Sequence, residues 1–144
     1  MSLLTKRSVL NAFDRAKNSH LRDFRQGMPT WCPGCGHYSP LQALYEALTR
    51  LKIQKKDFVL VSGIGCSSRI PFFVEGYGLH GLHGRALPIA TGVKIANPEL
   101  CVVVAGGDGD GIGIGGGHLP HVCRYNFDMT YLLMDNGIYG LTKG

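Results

Sequence analysis

Three short apolar runs constrain this chain more than any other feature: Phe58-Val59-Leu60-Val61, Cys101-Val102-Val103-Val104-Ala105 and Met129-Thr130-Tyr131-Leu132-Leu133-Met134. Each stops at a polar or glycine loop, in turn Ser62-Gly63, Gly106-Gly107 and Asp135-Asn136-Gly137, and helix-length segments separate them. Nearly continuous β-branched and aliphatic runs suit strands buried on both faces, which occur in parallel sheets covered by helices. The predicted fold class is therefore α/β. In such sheets ligands lie beyond the carboxyl ends of the strands, so chemistry is expected in the three loops.

With 144 residues, 44% of them apolar, the chain has material for one core and not comfortably for two. Residues 1–30 read as a basic N-terminal segment, weakly helical over 8–24, followed by a linker, and residues 31–144 read as the organised domain. Ser39 is a good N-cap with Pro40 at the first helical position, and Leu41, Leu44, Tyr45, Leu48 and Leu51 recur at helical spacing. Lys6, Arg7, Arg15, Lys17, Arg22 and Arg25 outweigh Asp14 and Asp23 at the N-terminal end, within a net charge of +5. That charge reads as a solvated helix face, the competing reading being attraction of an acidic electron carrier or another subunit; no aromatic residues are interleaved with it as base-stacking platforms, so nucleic acid is not an expected partner. No apolar run approaches the roughly 18 residues of a membrane span and no signal-type stretch follows Lys6 and Arg7, so a cytoplasmic protein is expected.

The most informative loop is Gly106-Gly107-Asp108-Gly109-Asp110-Gly111-Ile112-Gly113-Ile114-Gly115-Gly116-Gly117, eight of whose twelve residues are glycine. Such density lets the backbone approach a ligand closely and turn amides toward phosphate oxygens. A dinucleotide pattern is formally present as Gly111-x-Gly113-x-x-Gly116, but it is weak evidence in so glycine-rich a stretch. Aspartates also argue against it, because a carboxylate beside a diphosphate repels it unless a divalent cation lies between. An EF-hand reading fails, since its twelfth position would be Leu119. Asp108 thus points to Mg²⁺, which is commonly held by one or two carboxylates together with phosphates. A second half of that site is available 28 residues on, in the amide oxygen of Asn136 and the carbonyl of Ile138.

Five cysteines with no sign of secretion favour metal or redox chemistry over a disulfide framework. Cys32-Pro33-Gly34-Cys35 alone is ambiguous between zinc, a redox pair and a cluster edge. Cys66, in Gly63-Ile64-Gly65-Cys66-Ser67-Ser68-Arg69, lies at the end of the first predicted strand, on the same edge as the glycine loop. Arg69 could clamp a substrate carboxylate through a bidentate pair, the competing reading being ordinary surface charge. Cys101, Cys123, His118 and His121 read as structural residues.

The pattern from Gly-Asp-Gly at 107–109 to Asn136 resembles the thiamine-diphosphate motif. Together with Trp31-Cys32-Pro33-Gly34-Cys35-Gly36-His37, the Cys66 loop and His83-Gly84-Arg85-Ala86-Leu87-Pro88-Ile89-Ala90-Thr91-Gly92, it resembles the beta subunit of 2-oxoacid:ferredoxin oxidoreductases. The resemblance runs from Trp31 to Gly144. It implies Mg²⁺ on Asp108, Asn136 and the Ile138 carbonyl, with Gly109, Asp110, Gly140 and Leu141 touching the diphosphate. Ile64, Gly65, Cys66, Ser67 and His83 are implied as further cofactor contacts, and Cys32, Cys35 and Cys66 as ligands of a [4Fe-4S] cluster. The fourth cluster ligand of that family lies well downstream, so the chain reads as C-terminally incomplete and the cluster's assembly stays open.

The implied reaction is oxidative decarboxylation of a 2-oxoacid, 2-oxoglutarate before pyruvate, to an acyl-CoA and CO₂ with ferredoxin as electron acceptor. Cofactor activation also needs a glutamate, and Glu46, Glu75 and Glu99 sit in no thiamine-type motif. The resemblance assigns that glutamate to the alpha subunit, without which this chain is expected to be inactive. Two rival readings are an NAD-binding oxidoreductase domain, for which Asp108 would be dispensable, and a non-catalytic zinc or scaffold module built on Cys32 and Cys35.

Overall fold

The computed structural model describes residues 24–141, so residues 1–23 of the basic segment, and with them almost all of the expected 8–24 helix, lie outside the described residues. Four parallel strands form one sheet: β1 (Phe58–Ser62), β2 (Tyr77–His80), β3 (Cys101–Gly107) and β4 (Thr130–Met134), in the order β2-β1-β3-β4. The three apolar runs are β1, β3 and β4. β2 escaped the sequence because Tyr77-Gly78-Leu79-His80 is an edge strand, exposed along its length, and lacks a buried strand's apolar run.

Alternation along the central strands supplies both faces of the core. Phe58, Leu60, Val103 and Ala105 point to one side, where Leu41, Leu44, Tyr45 and Leu48 of helix α1 (Tyr38–Arg50) meet them. Val59, Val61, Val102 and Val104 point to the other, against Ala86, Leu87 and Ala90 of helix α2 (Ala86–Ala96). A short helix α3 (Leu119–Tyr125) packs beside α2 through Leu119 and Val122. Burying β1 and β3 on both faces is what their unbroken aliphatic sequence requires.

α1 begins earlier than its composition suggested: His37, not Ser39, occupies the N-cap, and Pro40 sits inside the first turn. Backbone bonds from the Cys35-Gly36 turn start it, with Tyr38 N–H donating to Cys35 O and Ser39 N–H to Gly36 O. Its end is a paired-bond cap, in which Lys52, at φ 55°, donates to Thr49 O and Ile53 donates to Leu48 O. That reversal turns Leu51 out to 70% exposure, off the face to which its spacing had assigned it.

The packed body also reaches back beyond Trp31. Phe24 is buried against Phe58, Gln26 N–H donates to Phe73 O, and Glu75 N–H donates to Phe24 O, which binds residues 24–26 to the segment entering β2. At the far end of α2, Lys94 is buried and donates to Pro98 O at 2.7 Å and Leu100 O at 2.8 Å, fixing the turn into β3.

Candidate cofactor-binding site

In the order β2-β1-β3-β4 the chain reverses direction across the sheet between β1 and β3, and a cleft opens beyond their carboxyl ends, as the parallel-sheet rule requires. The cleft is open to solvent and takes in about 520 Å³ of empty space, part of it bulk solvent. One wall is the loop after β1, Ile64, Gly65, Cys66 and Ser67, and the floor is Gly107, Asp108 and Gly109 at the end of β3. Asn136, Ile138, Tyr139, Gly140 and Leu141 after β4 form the opposite wall, with Met134, His83 and His37 completing the lining.

The glycine loop does not run straight into an ordinary helix. Asp108 caps a single wide turn, Gly109–Ile114, closed by Gly115 N–H donating to Asp110 O at 3.0 Å, five residues apart. That turn sends two aspartates, two positions apart, in different directions. Asp108 stays half-buried at the floor, where Oδ1 accepts from Asn136 N–H at 3.3 Å and so joins the β3 and β4 loops. Asn136 Oδ1 accepts from Ile138 N–H at 3.1 Å, which holds the loop in a tight turn with Gly137 at φ 65°. Asp108, Asn136 and Ile138 thus lie on adjoining loops, where a carboxylate, an amide oxygen and a backbone carbonyl are hard-oxygen donors of the kind Mg²⁺ takes.

Asp110 has its carboxylate turned into the protein, beneath the cleft. Its Oδ1 accepts from Ile64 N–H at 3.0 Å and Gly84 N–H at 2.8 Å, and lies 2.6 Å from His83 Nδ1. Oδ2 is buried without a hydrogen-bond partner, as is the nearby Tyr131 hydroxyl. Several loop glycines are explained by this packing rather than by ligand: a Cβ at Gly63 would strike the Asp110 carboxylate, and one at Gly111 the Tyr131 hydroxyl.

Burial, and secondarily the Asp110 charge, push the Tyr131 phenol up to about 12 from an ordinary 10.0. The native state then keeps its proton where the unfolded chain has lost it. The associated stability is complete below pH 10.0 and drains away as pH rises toward about 12. Wild type is expected to lose more of its melting temperature than Tyr131→Phe across that interval, and parallel melting curves for the two proteins check it.

On the β1 side, Trp31 is buried and its Nε1–H donates to Cys66 O at 2.6 Å, so the Cys32–Cys35 turn and the Cys66 loop share one wall. Trp31 also stacks on His37, whose Nδ1 lies 3.0 Å from Cys35 Sγ and whose imidazole is held below its usual range by burial. Cys32 is exposed and Cys35 and Cys66 are half-buried. Among the described residues no three His, Cys, Asp or Glu side chains are gathered closely enough to hold a metal, so the three thiols do not form a cluster site in this arrangement.

The structure thus brings Ile64, Gly65, Cys66, Ser67, His83, Asp108, Gly109, Asn136, Ile138, Gly140 and Leu141 to one cleft. Arg69, in the turn Ser67–Phe72, is not in its lining, nor are Cys32, Cys35, His118 or His121. His37 and Tyr139 were not singled out from sequence; Tyr139 packs edge-on to His83 at 6.1 Å and its hydroxyl donates to Gly109 O at 3.3 Å. Its place between Asn136 and Gly140 was the available signal. None of the three glutamates reaches the cleft: Glu46 pairs with Arg50, Glu75 with Lys55, and Glu99 is exposed.

Residues 63–144 match the family described as thiamine pyrophosphate enzyme, C-terminal TPP binding domain. The chain is 54% identical over 119 residues to 2-oxoacid:ferredoxin oxidoreductase 2, subunit beta, of Aeropyrum pernix, covering 83% of this chain and 38% of that one. It is 46% identical over 142 residues to the 2-oxoglutarate oxidoreductase subunit KorB of Mycobacterium tuberculosis, covering 98% and 38%. Among solved structures, a 2-oxoglutarate:ferredoxin oxidoreductase from Magnetococcus marinus with 2-oxoglutarate, coenzyme A and succinyl-CoA bound superposes with a TM-score of 0.86 at 58% identity. That match covers 89% of this chain and 44% of the other. The chain therefore spans about two fifths of the length of these relatives, and none of them supports a dinucleotide-binding or zinc-scaffold reading. The chain is similar to the beta subunits of 2-oxoacid:ferredoxin oxidoreductases over the part they share, and it belongs to the thiamine pyrophosphate enzymes, by their C-terminal TPP-binding domain.

Proposed function

We propose that this chain is the thiamine-diphosphate- and Mg²⁺-binding part of a cytoplasmic enzyme that oxidatively decarboxylates a 2-oxoacid, preferentially 2-oxoglutarate, to an acyl-CoA and CO₂ with ferredoxin as electron acceptor. The observation that carries the reading is the hydrogen bond joining Asp108, at the floor of the β1–β3 cleft, to Asn136. It sets a carboxylate, the amide oxygen of Asn136 and the Ile138 carbonyl on adjoining loops, as the proposed ligands of one Mg²⁺. Gly109, Gly140, Leu141 and the backbone of Asp110 are proposed to contact the diphosphate, with Ile64, Gly65, Cys66, Ser67 and His83 along the rest of the cofactor. When bound, thiamine diphosphate supplies a carbanion nucleophile toward the 2-oxo carbon.

The chain's own residues bind and orient. Asp108 would hold Mg²⁺, whose charge would offset that of the diphosphate there, and the Cys66 loop walls the cleft on the β1 side. No glutamate of this chain is in the cleft, which supports a half-site completed by the alpha subunit. Arg69 is proposed as a substrate-carboxylate contact only in that assembled complex, since it lies outside the cleft lining here. Cys32, Cys35 and Cys66 are proposed as three ligands of a [4Fe-4S] cluster whose fourth ligand lies outside this chain. This part of the reading requires the Cys32–Cys35 turn to close on Cys66.

The test is titration calorimetry of the chain assembled with its alpha subunit, using thiamine diphosphate with and without MgCl₂, followed by viologen reduction with 2-oxoglutarate or pyruvate plus coenzyme A. Mg²⁺-dependent binding and faster reduction with 2-oxoglutarate are expected. Binding that ignores Mg²⁺, or a complex that binds NAD instead, would overturn the reading.

A further inference from the structure

We propose that Asp110 is a positioning residue that holds His83 in one tautomer, with Nδ1–H toward Asp110 and Nε2 bare toward the cleft, rather than a side-chain contact to the diphosphate. The inference rests on the functional reading above only for the identity of what Nε2 meets.

The argument is one of donors and acceptors. Asp110 Oδ1 already accepts two backbone N–H groups, from Ile64 at 3.0 Å and Gly84 at 2.8 Å. A third partner at 2.6 Å, His83 Nδ1, must therefore donate as well, because a bare ring nitrogen would set lone pair against lone pair. With Nδ1 protonated, the neutral ring has its lone pair on Nε2, on the side away from the buried carboxylate, and His83 is part of the cleft lining.

Orientation is over-determined. Two consecutive residues, His83 and Gly84, bond the same oxygen, and the Tyr139 ring confines the imidazole edge-on from the opposite wall at 6.1 Å. The carboxylate itself is buried, with its side chain only 2% exposed and lodged where Gly63 and Gly106 leave room for it. The same group ties together the loop after β1, the segment before α2 and the glycine turn, so the tautomer is set by the closure of three loops. A ligand in the cleft meets Nε2 as a hydrogen-bond acceptor held without a search over ring flips or tautomers, which is the pre-organisation an acid–base group needs.

The experiment uses the chain–alpha-subunit complex labelled with ¹⁵N-histidine, with the His83 signals assigned by their absence in His83→Gln. Wild type is expected to show the Nδ1–H tautomer as the dominant neutral form. Asp110→Asn keeps an oxygen acceptor for the two backbone amides but is a weaker anchor for the ring. It is expected to leave thiamine diphosphate affinity within about twofold, mix the tautomers and lower kcat about 100-fold, the low end of a positioned acid–base group's contribution. An Nε2–H tautomer in wild type overturns the proposal without any variant. So does Asp110→Asn losing diphosphate binding while the tautomer is unchanged. If wild type fails to bind thiamine diphosphate, the functional reading falls, whereas the tautomer measured in the same sample still decides the role of Asp110.

Discussion

Asp108→Ala is expected to abolish Mg²⁺-dependent binding of thiamine diphosphate, with an affinity loss of more than about 100-fold, the upper end of what even an indirect metal-ligand partner contributes. Asp108 is the single charged group among the three proposed Mg²⁺ ligands; the other two donors, an amide oxygen and a carbonyl, are neutral. Without its charge the ion has no protein anion to balance it, and the diphosphate would meet the glycine turn without a bridging cation. The substitution also removes the acceptor of the Asn136 N–H bond, which joins the β3 and β4 loops. Asp108→Asn separates the two effects, since an amide oxygen can still accept that bond while the charge is gone. Titration calorimetry on both variants, with circular dichroism as the folding check, is expected to show a well-folded Asp108→Asn that has lost Mg²⁺-dependent binding. Normal binding by both would remove Asp108 from the metal site.

Gly84→Ala is expected to be strongly destabilising. Gly84 sits at φ 68°, where a side chain costs roughly 1–2 kcal/mol. Its added Cβ would also lie 2.7 Å from Ile114 Cγ2 and 2.8 Å from the backbone nitrogen of Gly115. Backbone cannot swing aside as a long side chain can, and crowding of this kind adds about 1–3 kcal/mol. The sum, on the order of 3 kcal/mol, corresponds to a fall in Tm of about 10 °C for a domain of this size. Gly117→Ala is the matched control, because its Cβ meets nothing within 4 Å and its backbone carries no such strain; its expected effect lies within about 0.5 kcal/mol. Thermal melts of the two variants beside wild type check the contrast, and equal melting temperatures would show that the contact between Gly84 and Gly115 relaxes freely.

Much of the architecture was legible because it is written locally. An unbroken aliphatic run such as Val102-Val103-Val104 has few uses other than a strand covered on both faces. β2 was not legible, since an edge strand with both faces exposed carries no burial pattern to read. The start of α1 was shifted for a similar reason: backbone bonds from the Cys35-Gly36 turn outweighed the capping preference of Ser39. Arg69 illustrates a different limit, because a position after a strand places a residue near the right edge of the sheet without deciding whether its side chain reaches the cleft.

The sequence by itself determined the α/β class, the three loops that meet at the sheet's carboxyl edge, and the residue types that suit a diphosphate and a divalent cation. Only the tertiary structure decided what each aspartate of the glycine loop does. Asp108 and Asp110 are two positions apart in nearly identical glycine surroundings, and no local pattern separates them. The wide turn at Gly109–Ile114 leaves the first at the cleft floor and carries the second into a buried slot where Ile64, His83 and Gly84 converge on one oxygen. Those partners lie 46, 27 and 26 residues away along the chain, so their meeting is set by strand order and loop closure rather than by any preference in the loop's own sequence.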